Sequence, residues 1–250
     1  MQRLVPHIAR YFNQKKIENE IIIVDDNSPD GTANAARELG KKISNVRVIS
    51  REKKNGIGGA LREGYNAAKG AYILSMDADL EFNEKDFDRL LEKMSEGNDI
   101  VVGAKYNPKS KLERPTPLEK FQTIVSWVGS QYMKTVTGIP INDFSMNFRM
   151  LRKSAWKELQ SQQNGNFFLA ECIFQAHQKG FKIAEIPFHF TARKSGASKT
   201  RLWKQSGVFL RETLKYNRFA SNKTTAPEKT LSDKTIAYAE MKNPSNQGGD

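Results

Sequence analysis

One cysteine, Cys172, is all that the sequence contains. An internal disulfide is therefore excluded, and so is a cysteine-rich zinc site. That usage fits a reducing compartment. Histidine is nearly as scarce. His7, His177 and His189 are scattered along the chain, and each reads as structural or solvated rather than catalytic. No apolar run approaches the roughly 18–20 residues that a membrane-spanning helix needs. The opening stretch, "MQRLVPHIARYFNQKK", is too polar and too quickly broken for a secretory signal. Any membrane contact is therefore expected to be peripheral. Acidic residues are also in deficit: 28 Asp and Glu face 40 Lys and Arg, a formal charge of +12. Such an excess favours an anionic partner, whether nucleotide phosphate, lipid headgroup or nucleic acid. The charge is dispersed and no nucleic-acid motif is present, so nucleic acid is not expected as the partner. No internal repeat is visible.

What is present suffices for one sizeable core: 38% of 250 residues are hydrophobic and 10% aromatic. "EIIIVDD" (20–26) is a β-branched run of strand length. "SPDGTANAARELGKKI" (28–43) reads as a turn and then a helix, and "NVRVIS" (45–50) as a second strand. A glycine-rich loop, "NGIGGA", opens a helical stretch that continues to Lys69. "GAYILSM" (70–76), the amphipathic "NEKDFDRLLEKMSEG" (83–97) and "NDIVVGAKY" (98–106) continue the alternation. Strand alternating with helix predicts an α/β fold with a mostly parallel, Rossmann-like sheet and helices on both faces. Farther on, 118–138 reads as one or two helices, "NFRMLRK" as strand, "NFFLAECIFQAHQKGF" as helix, and 182–193 as a strand ending in a basic loop. Residues 202–219 form a basic amphipathic helix, suited either to an anionic lipid surface or to packing on the domain. The domain is expected to span 1–220. Residues 221–250 are polar and are expected to form a disordered tail.

The chemistry concentrates where strands end. "SMDADLEF" (75–82) places Asp77 and Asp79 on one side of an extended chain, because side chains two residues apart point the same way. In open parallel sheets ligands collect beyond the carboxyl ends of the strands. Two carboxylates there, with a ligand's diphosphate, suit a hard cation such as Mg²⁺ or Mn²⁺. Asp25 and Asp26 also end a strand. Gly56, Gly58 and Gly59 form a stretch where backbone could approach a sugar or phosphate closely.

"VDDNSPDGT", "GIGGALREGYNAAKGAYILSMDADLEF", "VVGAKY", "DFSMNFRMLRK" and "RKSGASK", in this order, resemble family 2 glycosyltransferases with the GT-A fold. Within them the sequence is most similar to dolichyl-phosphate mannosyltransferases and related polyprenyl-phosphate sugar transferases. The resemblance implies inverting, metal-dependent transfer of mannose or glucose from a nucleotide sugar of the GDP-mannose or UDP-glucose type to a polyprenyl or dolichyl phosphate. It implies that Asp25 and Asp26 hold the nucleotide, with Gly56 and Gly58 on the donor side. Asp77 and Asp79 would face the donor diphosphate and its metal, with Glu81 as a further ligand. Arg193, Ser198 and Lys199 would lie on a loop closing over phosphates, Asp79 and Arg193 being the catalytic pair. Lys105, Arg149 and Ser198 would meet the acceptor phosphate. The expected location is cytoplasmic, peripheral on the cytoplasmic membrane face.

The sequence departs from that family in several places. Glu81 stands where relatives carry glutamine or serine, Lys105 stands in place of an arginine, and Met146 and Asn147 replace small residues. The chain also opens directly in what looks like the first helix, "LVPHIARYF", without the strand and turn that normally precede it in mid-sheet. It is therefore expected to behave as an N-terminally shortened transferase with little or no activity. Two other readings stay open. One is a transferase-like protein that binds without turnover. The other is a dinucleotide-dependent oxidoreductase, because "GIGGAL" follows a strand, opens a helix and precedes Asp77 by about 20 residues.

Overall fold

The computed structural model describes residues 1–26, 32–78, 83–111, 116–188 and 202–220. Asp79, Glu81, Arg193, Ser198, Lys199 and the stretch 221–250 lie outside them.

The chain opens with helix α1 (Leu4–Gln14), whose apolar residues recur at three- and four-residue intervals and bury Leu4, Val5, Ile8, Tyr11 and Phe12. There follow β1 (Ile21–Asp25), α2 (Thr32–Lys42), β2 (Val46–Ser50), α3 (Gly56–Ala67) and β3 (Tyr72–Ser75). Helix α4 (Glu84–Ser95) starts at Asn83, whose side chain accepts from the Lys85 backbone N–H, and carries Glu84 and Asp86 in its first turn. Both features stabilise a helix N-terminus. After β4 (Ile100–Ala104) the segment read as one or two helices is a single one, α5 (Pro117–Thr137). A reciprocal Thr116–Glu119 capping box and Pro117 start it, and Gly138, at φ 70°, ends it. The chain continues through β5 (Arg149–Arg152), the short α6 (Lys153–Glu158), α7 (Phe168–Gln178), β6 (Ile183–Pro187) and α8 (Leu202–Ala220).

The strands form two sheets rather than one. β1 and β2 pair in parallel, from Ile21 opposite Val46 to Asp25 opposite Ser50. The other sheet has the order β3-β5-β4-β6. β4 and β6 are parallel, whereas β5 runs against both β3 and β4. Three of its four strands thus share a direction, and β5 is the exception to the parallel pattern. Among the described residues β1 and β3 are not paired with each other, so each presents an edge. Residues Ile21–Val24 of β1 are only half-buried, whereas all of β4 is buried.

Two helices tie the sheets together. α1 sends Val5 into a small cluster with Leu39 and Val46, and Leu4, Ile8 and Phe12 into the main core. α3 lies against β1, and its Tyr65 reaches Trp156 and Phe168 on the other side, with ring centroids 5.0 and 6.1 Å away. The main core is built on phenylalanine. Phe87 meets Phe148 edge-on at 5.3 Å, and Phe167 meets Phe174 at 5.8 Å.

Candidate active site

Asp25 is the last residue of β1 and is buried. Asp26 follows it and accepts a 2.7 Å hydrogen bond from Arg51 Nη1. Arg51 stands just beyond β2, and its Nε pairs with Glu63 Oε2 at 3.0 Å. Its guanidinium lies over Gly59, where a Cβ would sit 2.9 Å from Nη2. The sequence reading missed Arg51, although a basic residue at a strand end on the nucleotide side was a signal available to it.

Asp77 lies two residues past the end of β3. The antiparallel register pairs Tyr72 with Arg152 and Ser75 with Arg149. Continued two residues farther, it sets Asn147 opposite Asp77. Asn147 Nδ2 donates to Asp77 Oδ1 at 2.8 Å, and Ser75 Oγ donates to Asn147 Oδ1 at 2.6 Å. Ser75 and Asn147 are buried and Asp77 is half-buried. A bonded chain thus runs from the interior to one carboxylate of the D-A-D motif and fixes its direction. Asn147, noted in the sequence only as a departure, is the residue that orients Asp77.

Two expectations need correction. Gly56 and Gly58 are not a loop open to a ligand. They belong to the first turn of α3, and their close approach is to the chain itself. The Gly58 N–H donates to Asn164 O at 2.8 Å, and a Cβ on Gly58 would lie 2.5 Å from Gln163 O and 2.7 Å from Phe168 Cβ. Gly56, at φ 75°, would place a Cβ against Asn164 O. Arg62 holds the same 161–164 stretch by donating to Ser161 O and Gln163 O, and Glu171 accepts from the Gln162 and Gln163 N–H groups. Burial pushes the Glu171 carboxyl above its usual range. Gly58→Ala is accordingly expected to destabilise the fold by about 1–3 kcal/mol, because the clash is with backbone that cannot turn away. Thermal melting checks this. A variant of unchanged stability with weakened nucleotide binding would restore the ligand-facing reading.

Arg149 is the second correction. It is 2% exposed. Its guanidinium donates to the Met146 and Leu169 carbonyls, so it braces the start of β5 against α7 instead of reaching a surface phosphate. Lys105 keeps its place at the end of β4, held by its neighbours. Its Nζ lies 3.7 Å from Asp143 Oδ2, 3.4 Å from Ser145 Oγ and over the Tyr106 ring. Asp143 is fully buried and also accepts from the Ser145 N–H and Oγ–H. Lys105 is therefore anchored at the end of β4 by a carboxylate inside "DFSMNFRMLRK" to which the sequence reading gave no role. Farther along α7, Cys172 is buried, with its sulfur 3.3 Å from Ser161 Oγ. Burial pushes its thiol up to about 11.

The described candidates thus each stand at the carboxyl end of a strand: Asp25 and Asp26 at β1, Asp77 beyond β3, and Lys105 at β4. Among the described residues no group of three His, Cys, Asp or Glu side chains is placed to hold a metal. The two further acids of "DADLEF" fall outside those residues.

This arrangement has counterparts. Glycosyl transferase family 2 matches residues 2–160. Undecaprenyl-phosphate mannosyltransferase of Micrococcus luteus is 30% identical over 189 residues, which is 73% of this chain and 76% of that protein. Polyprenol monophosphomannose synthase of Mycolicibacterium smegmatis is 30% identical over 206 residues, 78% of this chain and 73% of that protein. Among solved structures, glucosyl-3-phosphoglycerate synthase from Mycobacterium tuberculosis, in complex with Mn²⁺, uridine diphosphate and glucosyl-3-phosphoglycerate, superposes with a TM-score of 0.55. It is 17% identical and covers 84% of this chain and 70% of that one, a likeness of fold. The alternation of strand and helix, the acids at the strand ends and these matches together carry one conclusion: the chain belongs to glycosyl transferase family 2, with a GT-A-like α/β fold.

Proposed function

We propose that this chain transfers a hexose, mannose in the first instance, from a nucleotide sugar to a polyprenyl phosphate. The single observation that carries the reading is the alignment of strand-end carboxylates in a chain whose 30%-identical relatives are named for that transfer. Asp77 ends β3 with its direction set by Asn147, and Asp25 and Asp26 end β1. On this reading the β1 acids take the nucleoside, and Asp77 and Asp79 face the diphosphate.

A divalent cation fits this donor set by its chemistry. Asp77, Asp79 and the donor's diphosphate would all offer hard oxygen atoms, as Mg²⁺ and Mn²⁺ prefer. Glu81 is a further candidate. When bound, the ion would neutralise charge on the departing nucleoside diphosphate. The remaining work falls to the chain. Displacement at the anomeric carbon passes through an oxocarbenium-like state. Cationic side chains near the diphosphate lower its cost as negative charge accumulates on the leaving oxygen. Arg193 and Lys199 are proposed for that role, and Lys105, once released from Asp143, for the acceptor phosphate. Attack from the face opposite the leaving group inverts the anomeric centre. A lipid phosphate is already ionised near neutral pH, so no strong general base is needed, in keeping with the dispersed histidines.

The oxidoreductase reading loses its support, because its glycines are packed against residues 163–165 and leave no cradle for a pyrophosphate. The test is transfer of radiolabelled mannose from GDP-mannose, and glucose from UDP-glucose, to a short polyprenyl phosphate, with and without Mn²⁺ or EDTA. Label is expected in the lipid phase only with metal present. No labelled lipid from any nucleotide sugar, together with no thermal stabilisation by any of them, would overturn the proposal.

A further inference from the structure

The residues just ahead of β5, 143–148, alternate polar and apolar. Phe144, Met146 and Phe148 are buried in the main core, with Phe144 edge-on to Phe174 at 5.6 Å. Asp143, Ser145 and Asn147 stand at the intervening positions, and each is bonded to a residue at a strand end. Asn147 holds Asp77 beyond β3. Asp143 accepts from the Lys105 backbone N–H at 3.3 Å and lies 3.7 Å from its Nζ. The same Nζ donates to Ser145 Oγ at 3.4 Å.

The topology explains why one short segment reaches both strand ends. β5 lies between β3 and β4 and runs against each, so its amino end meets their carboxyl ends. The packing leaves the segment little room to shift. The Gly103 N–H of β4 donates to Phe148 O at 2.8 Å, and a Cβ on Gly103 would lie 2.6 Å from Phe148 Cδ1. Arg149 donates to Met146 O at 3.0 Å and ties it to α7 through Leu169 O at 2.8 Å.

We infer that the segment 143–147 is a single positioning element that sets Asp77 and Lys105 together, so that a change at one end of the site is transmitted to the other. Asp143 and Ser145 place the lysine, and Asn147 places the acid. Ser75 acts through Asn147. As a carboxylate Asp77 only accepts, so the amide Nδ2 faces it, and Oδ1 is left to accept from Ser75 Oγ. Coupling between the two ends follows from the packing. Phe144, Met146 and Phe148 anchor the segment in a close-packed core, where a displacement at Asn147 cannot be absorbed locally. That Asp77 faces the donor and Lys105 the acceptor rests on the proposed transfer; the contacts do not.

The experiment reads the Lys105 amine in the full chain, with no nucleotide and no lipid present, so failure of the proposed transfer would leave its result intact. The chain is treated briefly with an acetylating reagent, and the rate at Lys105 is followed by peptide mass spectrometry. The exposed Lys120 of α5 is the internal reference. An amine seated on a buried carboxylate is shielded from the reagent. Asn147→Ala alters the Asp77 side of the segment, and it is expected to raise the ratio of Lys105 to Lys120 labelling at least about fivefold, a modest coupling between two sites. Ser75→Ala frees the Asn147 amide without removing it and is expected to raise the ratio by a smaller factor. Gly58→Ala is the control for lost stability, because it disturbs the contacts with residues 163–165 and not this segment. It is expected to leave the ratio unchanged. A ratio unmoved by both Asn147→Ala and Ser75→Ala would overturn the inference. So would a rise of equal size in Gly58→Ala, since general loosening would then account for the effect.

Discussion

Asp79→Asn is expected to lower metal-dependent sugar transfer by about a hundredfold to a thousandfold, the usual cost of removing one preorganised group facing transition-state charge. The melting temperature should stay close to that of the parent chain. The substitution keeps the shape of the side chain and removes its charge, so it isolates the contribution of a carboxylate to the diphosphate's cation. The expectation rests on the structure around its neighbour. Ser75, Asn147 and Asp77 form a bonded chain that ends at the carboxyl edge of β3, and Asp79 is the second acid of the D-A-D motif, two residues on in the sequence. Turnover measured across a Mn²⁺ titration, beside a melting curve, separates the cases. A variant with undiminished transfer at every metal concentration would remove Asp79 from the site. A variant that melts far lower would show a structural role instead.

A larger effect on stability is expected at the divided sheet. β1 and β3 each have one strand neighbour among the described residues, and α1 and α3 bridge the two sheets. An extended segment set between these edges would form hydrogen bonds to both. Such bonds contribute about 0.5–1.5 kcal/mol each, and ordering the inserted segment costs about 1–2 kcal/mol per residue, so these two terms nearly cancel. Burial of the half-exposed Ile21–Val24 then decides the sign in favour of insertion. The comparison is between this chain alone and this chain with a strand-forming peptide of about six residues added in trans. The chain with the peptide is expected to melt higher, by about 2–4 °C for each kcal/mol gained, and to transfer sugar faster because Asp25, Asp26 and Asp77 would then be held in one sheet. Equal stability and equal activity would mean that these edges need no partner.

Much of the fold was legible because the sequence alternates two periods, a β-branched run for each strand and a three-to-four-residue apolar spacing for each helix. The direction of β5 was not, since strand composition carries no sense of direction. That one reversal hid the role of Asn147, which meets Asp77 only through the antiparallel register. The glycines before α3 were misread for a different reason. A small residue permits close approach without specifying to what, and here the partner is the backbone of residues 163–165. Arg149 and Lys105 were chosen as cations for a phosphate. Their burial against carbonyls in one case and Asp143 in the other depends on contacts across the fold. The acids at the strand ends were found because they stand next to the strands that place them. For α5 a helix was readable from the apolar spacing, but which apolar face is covered depends on α8, far along the chain.

The buried thiol of Cys172 makes this chain convenient to label. Alkylation proceeds through the thiolate, and with its thiol pushed up to about 11, only about one molecule in ten thousand carries it at neutral pH. Burial beside Ser161 further shields that small fraction. A cysteine introduced on the surface would therefore take up a maleimide dye long before the native one. Placed at Ile124, it would put a single environment-sensitive fluorophore on the apolar side of α5 without first removing Cys172.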